Sequence, residues 1–107
     1  MISYDLWFPE IIRHLAWMGA EAIIAPTLTN TNDRDAELAL SRANAITNQL
    51  YFFGLNSAGR LGYGKSILVG PDGTIIHQAS SGREIITAEL DFKHVRRVRE
   101  RGLHGLG

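Results

Sequence analysis

The chain has 107 residues, 45% of them hydrophobic and 21% charged, and its 11 basic and 11 acidic residues balance to a formal net charge of zero. That length holds one small domain with one core, and balanced charge argues against nucleic acid as a partner. Cysteine is absent, which removes disulfides, thiolate metal ligands and a cysteine nucleophile from this sequence and fits a cytoplasmic protein. No apolar run reaches the length of a membrane span, and no basic-then-apolar leader is visible at the start.

In chain order, Ile2–Tyr4 reads as a short strand already under way, an opening that suggests a fragment, a truncated gene or an internal start. Pro9 then stands where prolines begin helices, with Glu10 at the positive dipole end. This helix is expected to run to about Met18 and stop at Gly19, with Ile11, Ile12, Leu15 and Met18 as its apolar stripe. Trp17 falls on the polar face, which points to partial burial under a loop or to a subunit contact. Ala22–Ala25 is a continuous apolar strand ended by Pro26, the pattern of a strand covered on both faces.

After a polar loop, a second helix spans Asp33 or Arg34 to Asn48, with Leu38, Ala39, Ala43 and Ile46 lining one face. Tyr51–Leu55 is a strand. Ser66–Val69 and Thr74–Gln78 are two more, joined by the turn Gly70-Pro71-Asp72-Gly73. Glu84–Leu90 is a last strand, and Asp91 caps a helix to about Arg101. Early crossovers and later hairpins predict an α/β fold, a mixed sheet with helices on one face.

Gly59-Arg60-Leu61-Gly62-Tyr63-Gly64-Lys65-Ser66 matches the phosphate-loop pattern at every specified position. The chemistry requires that loop to enter a helix, so that backbone N–H groups and the helix dipole converge on phosphate. Here Ile67-Leu68-Val69 is β-rich and runs into Pro71, so a hairpin connection is expected instead.

Ile2-Ser3-Tyr4-Asp5-Leu6-Trp7-Phe8-Pro9-Glu10 resembles the nucleophile segment of the nitrilase/amidase (carbon–nitrogen hydrolase) superfamily, with Ser3 at the position of the family's cysteine. The likeness continues in order through Arg13–Ala16, Gly19–Glu21, Arg42–Gln49 (with Thr47 where many members have Glu), Tyr51–Asn56, Gly64–Ser66, Pro71–Gly73 and Glu89–Asp91. The resemblance implies that residues 1–107 form the C-terminal part of such a domain, half of a nitrilase-type αββα sandwich. It implies a small-molecule amide or nitrile as substrate, no cofactor and no metal. The family's glutamate base, its lysine and a further glutamate all precede the cysteine, so none has a counterpart here.

By the same resemblance, Ser3 and the backbone N–H of Tyr4, as oxyanion donor, are the catalytic candidates, and the loop Pro26-Thr27-Leu28-Thr29-Asn30 lines the substrate pocket, with Pro26, Thr27 and Leu28 as the substrate-binding candidates. The expected partner is a second copy of the chain (a homo-oligomer) or a missing N-terminal half, with neither membrane nor nucleic acid involved. The tail Arg99–Gly107 also resembles aliphatic amidase-like members in which the chain continues.

Serine changes the chemistry. A thiol yields a strongly nucleophilic thiolate to a nearby carboxylate, whereas a serine hydroxyl normally relies on histidine. The chain alone is therefore expected to be inactive, and Ser3 to reflect engineering or decay. A Ser–His–Asp site is disfavoured, because Ser3 lacks G-x-S-x-G surroundings. His14, His77, His94 and His104 show no H-x-x-x-H spacing for zinc. The basic residues from Lys93 to Arg101 read as a solvated helix face matched to its C-terminal dipole. The rival to a hydrolase fragment is a non-catalytic, self-associating assembly module.

Overall fold

The computed structural model describes residues 3–58, 64–80, 82 and 85–102. Its elements are a 3-10 turn (Ser3–Trp7), α1 (Pro9–Trp17), β1 (Ala22–Thr27), α2 (Asp33–Asn48), β2 (Tyr51–Asn56), β3 (Ile67–Val69), β4 (Ile75–Gln78) and α3 (Phe92–Arg101). The strands form one sheet in the order β1-β2-β3-β4. β1 and β2 run parallel across the α2 crossover, and β3 and β4 follow antiparallel. The mixed α/β sheet expected from the sequence is therefore present.

The opening corrects the sequence reading, since Ser3 and Tyr4 begin a 3-10 turn, not a strand, and Ile2 lies outside the described residues. A strand would alternate its side chains across two faces. The turn instead sinks Leu6 fully into the core while Tyr4 stays exposed. Phe8 N–H donates to Asp5 O at 3.0 Å and closes the turn just ahead of Pro9.

Pro26 does not end β1, which continues to Thr27. Among the described residues β1 is an edge strand paired only with β2, so a missing N–H on its open side costs no ladder bond. The expected strand over Glu84–Leu90 is absent from the described part of that segment. Residues 85–90 carry no ladder, Ile85 is almost fully exposed, and Glu84 lies outside the described residues.

One face of the sheet meets α1 and α2. Leu6, Ile12, Ile23, Ala25, Ala45, Leu50, Phe52, Ile67 and Val69 form a single buried cluster there. Register places Ile23 beside Phe52 and Phe52 beside Val69, so these side chains share a face. β2 passes close under α2 because residue 54 is glycine. A Cβ there would lie 2.5 Å from Ser41 Oγ.

α2 departs from its expected packing. The buried side chains are Arg34, Glu37, Ser41, Asn44, Ala45 and Asn48, while Ala39 and Ala43 are exposed. A polar stripe can face inward here because much of it is bonded: Arg34 to Glu37 and the Gly54 carbonyl, Ser41 to the Glu37 carbonyl and Asn48 to the Asn44 carbonyl, although Arg34 Nε and Asn48 Oδ1 are buried without a partner among the described residues.

α3 is tied to the start of β2 and the turn before β1. Arg99 donates to Gln49 O and Ala20 O at 3.1 and 2.8 Å, and Tyr51 Oη bonds the Asp91 backbone. Asp91 caps the helix as expected, accepting from Lys93 N–H at 3.0 Å. Trp17 is 81% exposed, so no loop among the described residues covers it. None of the described helices is long and apolar enough to cross a membrane.

Candidate functional site

Parallel strands present their carboxyl ends to one edge of a sheet, and α/β proteins bind ligands in the crevice outside that edge. Here the ends of β1 and β2 carry Thr27 and Asn56, in register with each other. Asn56 organises the loops beyond them. Its Oδ1 accepts from Thr29 N–H at 2.8 Å, and its Nδ2 donates to Thr29 O and Gly64 O at 2.8 and 3.0 Å. Ser66 Oγ accepts from Asn56 N–H at 2.9 Å and so joins the approach to β3 to the same point.

Arg34, 1% exposed, lies beneath these loops. Its Nη2 donates to Gly54 O at 2.7 Å and Lys65 O at 3.0 Å, and its Nη1 to Glu37 Oε1 at 3.2 Å and Thr27 Oγ1 at 3.4 Å. Burial holds the guanidinium below its ordinary pKa, and the hydrogen bond and charge of Glu37 oppose that shift. Glu37, 4% exposed, uses its other oxygen, Oε2, to accept from Trp7 Nε1 at 3.1 Å. One buried ion pair thus links α2, the two parallel strands, the loop before β3 and the opening turn.

An open cleft of about 390 Å³ lies beside this network, lined by Tyr4, Trp7, Thr29, Asp33 and Glu37. The turn that begins at Ser3 therefore borders a cleft at the carboxyl end of the sheet. Tyr4 stacks edge-on against Phe8, with ring centroids 5.2 Å apart. Of the other candidates, Thr27 is buried, and its hydroxyl lies 3.1 Å from Leu55 O and 2.9 Å from Asn56 Oδ1. Pro26 and Leu28 are exposed, and it is Thr29 from that loop that lines the cleft.

Sequence reasoning missed Trp7, Arg34, Glu37 and Asn56. A signal for two of them existed: Arg34, Glu37 and Ser41 recur at helical spacing, and a core-facing polar stripe usually marks a network. The phosphate-loop pattern fails structurally, because Ser66 leads into strand β3; its residues 59–63 lie outside the described ones. Among the described residues no group of three or more His, Asp or Glu side chains could hold a metal ion.

The family model for carbon-nitrogen hydrolases matches residues 1–100. The chain belongs to that family. It is 38% identical to an omega-amidase of Saccharomyces cerevisiae over 105 residues, covering 92% of this chain and 36% of that protein. It is 33% identical to the human deaminated glutathione amidase, covering 92% of this chain and 32% of the relative.

The crystal structure of a nitrilase-superfamily member from Saccharomyces cerevisiae superimposes with a TM-score of 0.85 at 38% identity, over 92% of this chain and 39% of that one. A carbon-nitrogen hydrolase from Helicobacter pylori gives a TM-score of 0.81 at 29% identity, over 94% of this chain and 42% of that one. The sheet with its helical layer is thus half of a nitrilase-type sandwich. The chain spans about a third to two-fifths of the length of these relatives.

Proposed function

We propose that residues 1–107 are the C-terminal, nucleophile-bearing part of a hydrolase acting on small non-peptide amides or nitriles, and that this part is inactive alone. The observation that carries the reading is positional. The turn opening at Ser3 borders a cleft at the carboxyl end of a sheet built like those of carbon-nitrogen hydrolases. In this reading the side chain at position 3 attacks the carbonyl carbon, and the backbone N–H of Tyr4 helps hold the oxyanion. The loop Pro26-Thr27-Leu28 borders the substrate, supported by its neighbour Thr29 on the cleft wall.

Inactivity follows from proton bookkeeping. Attack by a hydroxyl needs an acceptor for its proton, and Glu37, the buried carboxylate among the described residues lining this cleft, is already committed to Arg34 through one oxygen and to Trp7 through the other. Ammonia release from simple amides tests this directly. None is expected from the chain or its Ser3→Cys variant, and robust turnover by either refutes it. Joined in frame after the upstream portion of the yeast omega-amidase, the Ser3→Cys chain is expected to hydrolyse a small amide. A folded, inert fusion counts against the hydrolase reading.

A second reading, a self-associating assembly module, is favoured by the uncovered apolar residues Ile24 and Leu55 on the sheet face away from α2. It predicts concentration-dependent association by light scattering, and a stable monomer at high concentration opposes it.

A further inference from the structure

We infer that Glu37 is a positioning residue: through Trp7 it sets the rotation of the turn that carries the nucleophile position, indexing that turn to the carboxyl ends of the sheet. The inference rests on the reading that position 3 is the reacting one.

Leu6 and Trp7 both anchor the turn. Leu6 is fully buried in the apolar cluster and fixes its depth. Apolar contact is non-directional, so Leu6 leaves rotation about its own side chain weakly determined. The second anchor is directional, the 3.1 Å bond from Trp7 Nε1 to Glu37 Oε2. Three residues per 3-10 turn make the indole a lever on the segment back to Ser3.

The acceptor is itself immobile. Oε1 of Glu37 is held by Arg34, whose other nitrogen is bonded to the carbonyls of Gly54 and Lys65. With both oxygens held in directional bonds, Glu37 acts on the turn by geometry. A buried ion pair is a weak source of stability, and fixing one arrangement among several is a better-attested use.

The test compares the full chain with its Trp7→Phe variant, which keeps an aromatic ring but loses the donor. Amide hydrogen exchange is read at Phe8, whose N–H closes the turn, and at Phe52 in the central strand β2. The lost bond is expected to speed exchange at Phe8 by roughly tenfold, the equivalent of about one net hydrogen bond, with Phe52 unchanged. In a Ser3→Cys background, the rate of thiol alkylation by iodoacetamide is expected to change at least about threefold when Trp7 becomes Phe, through altered exposure and surroundings of the thiol.

Unchanged exchange at Phe8, or equal acceleration at Phe52, overturns the inference, the latter because it marks a merely structural bond. Faster exchange at Phe8 with unchanged alkylation overturns it too, since the tether then holds the turn without serving position 3. None of these measurements needs amide turnover, so failure of the hydrolase reading shows separately, in the fusion assay.

Discussion

The two faces of this sheet are built from the same four strands and are covered unequally. On the face toward α1 and α2, Ile23, Phe52 and Val69 lose nearly all contact with water, whereas on the other face Tyr51 and Leu68 are buried but Ile24 stays 56% exposed and Leu55 36%. Successive strand residues point to opposite faces, so an apolar run such as Ala22–Ala25 supplies both sides at once. The difference lies in cover, since α2 crosses over one side only. The relatives are well over twice as long as this chain.

The comparison can be broken most forcefully on the covered side. Phe52→Ala, at a fully buried position, is expected to cost about 3–5 kcal/mol in urea unfolding, from lost transfer energy and the cavity left behind. Glu37→Ala is expected to cost a similar amount, about 3–5 kcal/mol, because it strands the buried charge of Arg34. A loss below about 1 kcal/mol for either would mean that the covered face is far less organised than its packing implies.

Next comes the close approach of β2 and α2. Gly54→Ala should destabilise by about 1–3 kcal/mol, since the new Cβ meets the Ser41 hydroxyl. Adding Ser41→Ala should recover part of that loss, and strict additivity of the two would contradict the contact.

On the open face, Ile24→Ala should shift the unfolding free energy of the monomer by no more than about 0.5 kcal/mol. If this face is an interface, Ile24→Lys should abolish association in light scattering while leaving the monomer folded.

The smallest effect is a pH dependence carried by two exposed carboxylates. The hydrogen bond from Thr74 N–H to Asp72, at 2.9 Å, and the bond from Arg97 to Asp91, at 3.0 Å, hold both below the usual aspartate range. Their folded values are depressed, so their contribution is present above the unfolded value and fades as pH falls through the folded one. Urea midpoints should therefore drop modestly below about pH 4, and less so in Asp72→Asn.

The local features of the chain were legible because their causes are local. The cap at Asp91, the turn at Gly70–Gly73 with Gly73 at φ +88°, and the bounds of α2 all rest on interactions within a few residues. Two residues of the Ile2–Glu10 segment that carries the resemblance, Tyr4 and Trp7, line the cleft.

What only the tertiary structure decided is which groups far apart in sequence meet. Trp7 and Glu37 are 30 residues apart, and Arg34 reaches the carbonyl of Lys65 across 31. Read alone, Arg34 and Glu37 look like solvent-facing residues at a helix start. They are buried because the sheet edge offers carbonyls that pair with the guanidinium, and propensity and periodicity carry no information about such partners. The same reason explains the opening segment and residues 85–90. A short apolar stretch becomes strand or turn according to whether a neighbouring strand is there to bond it, and that is settled only when the whole chain packs.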